Sequence, residues 1–293
     1  MIWRPDILVL GGGGRQGDAW TTGVLAGLED AHDMHFRECE YFVGTSAGAI
    51  VAAKLASGRL RHPSTSPAGA NPAGATYGRQ APLPDWAVNS AMALGAPFAQ
   101  LGLRLGRTPG EVLRSAVLPV IADATAEAPD FRAAFPPESV RFDGRLRVVA
   151  VERRSGKRVV FGAPGAPQVT VAQALRASCA LPMVFAPAMI AGHEYVDGAT
   201  WSPSNADVAP AARDAQVLLL NPMASFYGPF HAGVRALARA AMLLEASALK
   251  ERGAQVRIIT PDRTSSVSIG RDLMSEAGLS KTLDGGYRQG LAG

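Results

Sequence analysis

Ser46 is the first residue whose type and setting suggest chemistry. It lies in Gly44-Thr45-Ser46-Ala47-Gly48, a G-x-S-x-G motif, between the apolar run YFV and the small-residue run AGAIVAAKLASG. A strand before the serine and a helix after it would place the hydroxyl on a sharp turn above the carboxyl edge of a sheet. Gly44 and Gly48 would let neighbouring backbone pass close to that turn. We therefore predict that Ser46 is a nucleophile on a strand-to-helix elbow.

A nucleophilic serine needs a proton acceptor, and Asp197 is the candidate that we favour. It ends the predicted strand EYVD and is followed by a glycine. We expect it at the same carboxyl edge of the sheet as Ser46, where a buried carboxylate can take the serine proton directly. An ordinary Asp-Gly turn is the alternative interpretation of these residues.

A histidine base is a second alternative. The chain has five histidines, and none has the local sequence of a triad base: His32, His35, His62, His193 and His231. In a Ser…Asp…His order, His231 is the only candidate that follows Asp197. A histidine triad would make activity depend on His231 or His193, whereas a Ser–Asp pair would not.

A glycine-rich loop, GGGGRQG at residues 11–17, follows the first apolar run. It satisfies G-x-G-x-x-G, but a dinucleotide site also needs an acidic residue at the end of the second strand, about 20 residues further on. Here the second strand ends in Gly44-Thr45-Ser46, and no Gly-Lys-Ser/Thr of a P-loop follows the glycines. Successive N–H groups in such a loop can instead bind the oxyanion that acyl transfer generates. The loop is therefore predicted to be an oxyanion hole.

The elements that must position these residues alternate between strand and helix patterns. DILVL predicts a buried strand, and the segment GDAWTTGVLAGLEDAH carries Trp20, Val24 and Leu28 at helical spacing. Later segments predict a hairpin, a helix, a strand before Asp197, two more strands and a long helix: RLRVVAVERRSGKRVVF, VAQALRASC, EYVDG, QVLLLNP, AQVRIIT and residues 231–252. This alternation predicts one α/β domain over residues 1–293 with a largely parallel sheet.

Residues 60–142 interrupt that pattern. Residues 61–84 are rich in proline and glycine and show no periodicity, which predicts a flexible surface loop. Residues 85–142 are predicted to form a helical cap segment, whose second helix opens with the capping sequence Thr108-Pro109-Gly110-Glu111.

Composition limits the class of protein. The chain has 293 residues, of which 47% are hydrophobic and 6% aromatic, and its net charge is +4. Sparse aromatic residues that do not interleave with basic ones argue against nucleic-acid binding. No apolar run reaches about 18 residues, so no membrane-spanning helix is expected. The opening MIWRPDILVL lacks a signal-peptide pattern, and Cys39 and Cys179 suit reduced thiols, so a cytoplasmic location is expected.

Taken in order, GGGGRQG, GTSAG and DGA resemble the motifs of the patatin-like phospholipase family. The run ALRASCALPMVFAPAMIAGHEYVDGATWSPSN also looks like this family, and together the similar segments cover roughly residues 5–60 and 145–225. The resemblance implies a three-layer α/β/α fold with a mostly parallel central sheet. It also implies a Ser–Asp dyad without histidine, formed by Ser46 and Asp197, with Gly12, Gly13 and Gly14 as oxyanion donors.

The resemblance further implies a serine acyl hydrolase, a lipid esterase or phospholipase A-type enzyme that needs no metal and no organic cofactor. Its partner would be a lipid or ester substrate. The resemblance does not cover residues 60–142; there, we interpret the apolar stretch at residues 91–105 as shaping the acyl pocket and contacting the membrane periphery, with plain core packing as the alternative. A non-catalytic lipid-binding protein on the same fold stays open as an alternative.

The loop departs from the family in one position. The family commonly has a basic residue directly before the last glycine, whereas this chain has Gln16 there and Arg15 one place earlier. The extra Gly11 also allows a second register, in which Gly11 to Gly13 would be the oxyanion donors.

Overall fold

The structure is a computed structural model that describes residues 3–60, 62, 107–121, 126–229 and 232–293. In this part of the chain, eight strands form one sheet: β1 (Ile7–Leu10), β2 (Tyr41–Thr45), β3 (Leu146–Glu152), β4 (Arg158–Phe161), β5 (Ala188–Ile190), β6 (His193–Asp197), β7 (Gln216–Leu220) and β8 (Gln255–Ile259). The α-helices described are α1 (Gly14–His32), α2 (Ala47–Ala56), α3 (Arg107–Val117), α4 (Val171–Ser178), α5 (Ala232–Glu251), α6 (Arg263–Ile269) and α7 (Leu279–Leu291).

The sheet is mixed but mostly parallel. Strand β1 pairs in parallel with β2 on one side and with β7 on the other, and β2–β3 and β7–β8 are also parallel. Strand β3 pairs antiparallel with both β4 and β6, and β5 pairs antiparallel with β6. Short parallel strands of this kind must be covered on both faces, which explains their nearly continuous apolar sequences.

Helices cover the two faces of the sheet and form the outer layers. Leu8 and Leu10 of β1 belong to a core that also includes apolar residues of α1, α2 and α4. Ile7 and Val9 point to the opposite face, where they share a second core with Met242 and other residues of α5. The predicted α/β class and the three-layer α/β/α arrangement are confirmed.

Most predicted elements are present, and a few were missed. The hairpin forms as β3 and β4, and the long helix predicted at residues 231–252 is α5. Three elements were not predicted from the sequence: β5, α6 and α7.

The predicted insertion falls largely outside the described residues. Residues 61, 63–106 and 122–125 are not described, and the proposed acyl-pocket stretch at 91–105 lies among them. His231, which is not part of the insertion, also lies outside the described residues. Within the predicted cap, α3 is followed by a 3₁₀ turn at Leu118–Val120, and residues 126–142 form turns rather than helix.

Helices α1 and α7 pack with unusually close backbones. Gly23 and Gly27 of α1 face α7, and Gly286 and Gly290 of α7 face α1. A Cβ atom added at any of these four glycines would lie closer than 3.0 Å to backbone atoms of the opposite helix. The glycines therefore allow the first and last described helices to pack backbone against backbone.

Among the helices that the structure describes, none is both long enough and apolar enough to cross a bilayer.

Gly27→Ala tests the close packing of α1 and α7. In an isolated helix this change stabilises by up to about 1 kcal/mol, but here the methyl group overlaps the backbone of Tyr287. We expect the free energy of unfolding to fall by about 1 to 3 kcal/mol in urea titrations. The control is Gly233→Ala in the first turn of α5, where a Cβ meets nothing within 4 Å. Equal stabilities of the two variants would contradict the packing.

Candidate active site

Strands β2 and β6 meet end to end along one edge of β3. Ala150 and Val151 of β3 each pair with both β4 and β6, so β4 and β6 lie on opposite edges of β3. Val148 and Val149 pair with both β2 and β4, which places β2 opposite β4 as well. It follows that β2 and β6 occupy the same edge of β3 and run in opposite directions.

This arrangement brings the two predicted catalytic residues together. Thr45, the last residue of β2, pairs with Val149, and Asp197, the last residue of β6, pairs with the next residue, Ala150. Ser46 follows Thr45 directly and is therefore adjacent to Asp197. Asp197 thus lies where β2 ends, although its own strand, β6, runs antiparallel to β3.

Ser46 occupies a tight turn between β2 and α2. Its φ of 53° and ψ of −123° lie outside the regions that ordinary residues favour, as is typical of a nucleophile elbow. The turn is possible because the residues two positions before and after Ser46 are glycines. A Cβ atom would lie closer than 3.0 Å to backbone atoms of Ala49 if placed on Gly44, and of Leu10 if placed on Gly48.

Asp197 is buried, with only 1% of its surface exposed. Burial disfavours the charged carboxylate and raises its pKa to about 7, although a hydrogen bond from the Ala199 N–H and the nearby hydroxyl of Ser46 act in the opposite direction. The Ala199 nitrogen lies 2.8 Å from Oδ1 of Asp197. A carboxylate with a pKa near neutrality is basic enough to accept a proton from a serine at physiological pH.

Asn205 joins the ends of β2 and β6, and the sequence analysis missed it. Its Nδ2 group donates to Oγ1 of Thr45 and to the carbonyl of Gly198, both at 3.1 Å. It therefore ties the residue before Ser46 to the residue after Asp197. Asn205 has a φ of 50°, a left-handed conformation that asparagine tolerates better than most residues. In the sequence, the only indication of its role was its position in the run SPSN.

Ser178 is the second residue that the sequence analysis missed. At the end of α4, its hydroxyl donates to the carbonyl of Val149 at 2.6 Å and accepts from the N–H of Ser46 at 2.9 Å. The hydroxyl therefore bridges β3 and the elbow at the position where β3 stops pairing with β2 and begins to pair with β6. A buried hydroxyl with a partner on each side holds both in place.

The glycine loop borders the elbow. A Cβ atom on Gly12 would lie 3.3 Å from Cβ of Ser46. Helix α1 begins at Gly14, immediately after the loop, and α2 begins at Ala47, immediately after Ser46. Two helix N-termini, with their unpaired N–H groups and favourable dipoles, therefore converge beside the serine.

The loop offers fewer free donors than the sequence predicted. The N–H of Gly12 donates to the carbonyl of Pro203 at 2.9 Å, so Gly12 is not available as the third oxyanion donor. The second register is also excluded, because the N–H of Gly11 donates to Leu220 at 2.8 Å as an extension of the β1–β7 ladder. Among the described residues, no backbone carbonyl accepts from the N–H of Gly13 or Gly14. These two remain candidate donors.

Cys179 lies beside the serine and the aspartate. Burial raises the pKa of its thiol well above the usual value, and the charge of Asp197 raises it further, while an interaction with the Ser46 hydroxyl lowers it. The thiol therefore stays protonated, which makes it a poor nucleophile.

The histidines within the described residues lie elsewhere. His193 is exposed at the start of β6, the end of the strand opposite to Asp197 and about 13 Å from it at the rise of a β-strand. None of the four described histidines contributes to the pKa of Asp197. Across residues 3–60, 62, 107–121, 126–229 and 232–293, no three His, Cys, Asp or Glu side chains gather closely enough to bind a metal.

Comparison with known proteins finds a match to a family model and similarities to solved structures. A family model described as "Patatin-like phospholipase" matches residues 8–210. VipD from Legionella pneumophila is 15% identical, with a TM-score of 0.42, and the match covers 98% of this chain and 66% of VipD. The type III effector protein ExoU is 19% identical, with a TM-score of 0.40, and the match covers 98% of this chain and 52% of ExoU. The chain thus spans less than two thirds of either protein. Among curated proteins, no sequence matches significantly.

Asp197→Asn should make stability less sensitive to alkaline pH. The folded protein holds the Asp197 proton up to a pH of about 7, whereas the unfolded chain releases it near 3.8, so ionisation progressively destabilises the fold as the pH rises between these values. Relative to wild type, the variant should gain about 2 to 3 kcal/mol in free energy of unfolding between pH 5 and pH 8.

Urea titrations at both pH values measure this gain. Glu245 is also buried with a pKa raised to about 7, mainly by burial. Its effect is present in both proteins and cancels in the difference between them. A constant difference between variant and wild type across this pH range would show that the carboxyl of Asp197 is not held protonated by burial.

Proposed function

The chain belongs to the patatin-like phospholipase family, and on this premise we propose that it is a serine acyl hydrolase that cleaves carboxylic esters of lipids. Ser46 is the proposed nucleophile and Asp197 the proposed base. The observation that carries this assignment is the end-to-end meeting of β2 and β6, which sets a serine on a strained elbow against a buried carboxyl group with a pKa near 7.

In the first half of the proposed reaction, the Asp197 carboxylate takes the proton of the Ser46 hydroxyl while Oγ attacks the ester carbonyl. The carbonyl oxygen gains a negative charge, which the N–H groups of Gly13 and Gly14 and the two helix N-termini stabilise. Collapse of the tetrahedral intermediate breaks the ester C–O bond. The proton on Asp197 passes to the leaving alcohol, and an acyl group remains on Ser46.

In the second half, water attacks the acyl-enzyme. Asp197 accepts a proton from the water and then returns it to Oγ of Ser46 as the fatty acid leaves. Every proton is handled by one carboxyl group, and no step requires a metal, an organic cofactor or a histidine.

Ser46→Ala and Asp197→Asn test the proposed dyad. We expect a fluorophosphonate probe to label the wild-type protein at Ser46, as located by peptide mass spectrometry. Hydrolysis of p-nitrophenyl esters and of phospholipid vesicles should fall by at least about 1,000-fold in either variant, because the two side chains act as a unit.

Two exposed residues provide matched controls, Ser139→Ala and Asp214→Asn, and both variants should keep wild-type activity. Wild-type protein that folds, resists the probe and binds phospholipid vesicles without hydrolysing them would support the non-catalytic alternative. Full activity in Ser46→Ala would end the dyad assignment.

The pH dependence of kcat/KM should report the ionisation of Asp197. The base must be unprotonated in the free enzyme, and burial holds its pKa at about 7. We expect kcat/KM to be constant above pH 8 and to fall about tenfold per pH unit well below pH 7, in stopped assays with a substrate that does not itself titrate. A carboxylate of ordinary pKa would keep the rate constant down to about pH 5, and that profile would contradict the role of burial.

A further inference from the structure

Gln16, the residue that departs from the family pattern, is buried and makes four hydrogen bonds to the C-terminal part of the chain. Its Nε2 group donates to the carbonyls of Ser275 at 3.0 Å and Ala277 at 2.9 Å. Its Oε1 atom accepts from the hydroxyl of Thr282 at 2.6 Å, and its backbone N–H donates to the carbonyl of Leu273 at 3.0 Å. Only 1% of the surface of Gln16 is exposed.

Residues 270–278 contain three of the four hydrogen-bond partners of Gln16. This segment joins α6 to α7 and covers the glycine loop. Gly14 has a φ of 61°, and a Cβ atom there would lie closer than 3.0 Å to the Leu273 carbonyl and to Sδ of Met274. This segment lies outside residues 8–210, the part of the chain that the family model matches. Gln16, the position that departs from the family pattern, therefore contacts a part of the chain that the family model does not match.

The glycine loop is held from its other side by Pro222. A Cβ atom on Gly13 would lie 2.5 Å from Cγ of Pro222, and one on Gly17 would lie 3.0 Å from the same atom. The peptide units of Gly13 and Gly14 are thus enclosed between Pro222, just after β7, and Leu273, just after α6. Their direction depends on how firmly residues 270–278 are attached.

We propose that Gln16 is a positioning residue, which anchors residues 270–278 against the glycine loop and so aims the N–H groups of Gly13 and Gly14 at the oxyanion. The assignment of a catalytic task to these N–H groups rests on the proposed function. A basic residue at position 16 could donate to the carbonyls of Ser275 and Ala277, but it could not accept from Thr282. Glutamine does both, since its carboxamide has two donor hydrogens and an acceptor oxygen.

Arg15 adds a second link to the same segment, of a different kind. It is buried and forms an ion pair with Glu276, whose side chain is largely exposed. Because one partner is at the surface, the pair is screened by solvent. The hydrogen bonds of Gln16 start from a side chain that is itself buried, and the one from Thr282 is fully buried, so we expect them to hold the loop more firmly than the ion pair does.

Gln16→Glu is the sharpest test, because it keeps the size of the side chain but replaces its donor group with a carboxylate oxygen that can only accept and carries negative charge. A carboxylate oxygen would replace Nε2 and face two carbonyl oxygens. Removal of one oxyanion donor typically lowers kcat by about 100- to 1,000-fold. A displaced donor pair should lower kcat at least tenfold while KM stays within twofold, because the interaction forms only in the transition state. The matched control is Gln255→Glu on the exposed edge of β8, which should change neither parameter.

Hydrogen–deuterium exchange reports the anchor without relying on activity. In Gln16→Glu, peptides that cover residues 11–20 and 270–278 should exchange at least tenfold faster, while peptides from β3 and α4 should not change. If Gln16→Glu does not fold, Thr282→Val removes one of the four bonds and should produce a smaller effect in the same two regions.

The results separate this proposal from the proposed function. Unchanged kcat and unchanged exchange in Gln16→Glu would overturn the positioning role, even if the wild type hydrolyses esters through Ser46. Faster exchange with unchanged kcat would also overturn it, because the anchor would then be purely structural. If the wild type neither reacts with a fluorophosphonate nor hydrolyses esters, the proposed function fails, and the exchange result alone decides whether Gln16 anchors the loop.

Discussion

The geometry of the candidate site depends on the sharing of one edge of β3. Strand β2 uses the first half of that edge and β6 the second, in opposite directions, so that their last residues face each other. Main-chain hydrogen bonds along β3 fix the separation of Thr45 and Asp197, and side chains only refine it. The serine and the aspartate are therefore held by the most rigid part of the molecule, the centre of its sheet, although they are separated by more than half of the sequence. Precise sites are generally built on such elements rather than on loops.

Several energetically unfavourable features are concentrated where β2 and β6 meet. A carboxyl group is buried where burial disfavours its charge, and Ser46 adopts a conformation that ordinary residues avoid. Buried polar partners offset these costs by satisfying the backbone where the strand pairing ends, as Asn205 and Ser178 do. Beyond Asn205, Glu245 of α5 accepts from Ser204 at 2.6 Å and from the N–H of Ala206 at 2.9 Å, which secures the loop that follows Asp197. The strain at the serine thus persists because the surrounding hydrogen bonds leave the backbone no alternative.

The local features of the fold could be predicted from the sequence, whereas the long-range ones could not. The elbow at Ser46 follows from an apolar strand, small residues and two glycines within a short window. The antiparallel direction of β6 depends on pairing with a distant strand, so the local sequence of β6 could not predict it. The glycine pattern indicated a loop rich in donors, but the partner of the Gly12 N–H is the carbonyl of Pro203, which no local pattern reveals. Helix α7 was missed because its sequence, with Gly285, Gly286 and Gly290, has low intrinsic helix propensity. Its stability comes from packing on α1.

The contact between α1 and α7 also sets an order of events during translation. Helix α1 and the glycine loop leave the ribosome early, whereas α7 and the segment before it follow only after all eight strands have been made. Until then, the glycine face of α1 has no partner, and Gln16 has none of the carbonyls that its side chain requires. A nascent chain can already bring Ser46 to Asp197 in its growing sheet, yet its glycine loop is still loose. If the protein is the lipid hydrolase proposed above, its oxyanion hole is therefore the last part of the active site to form.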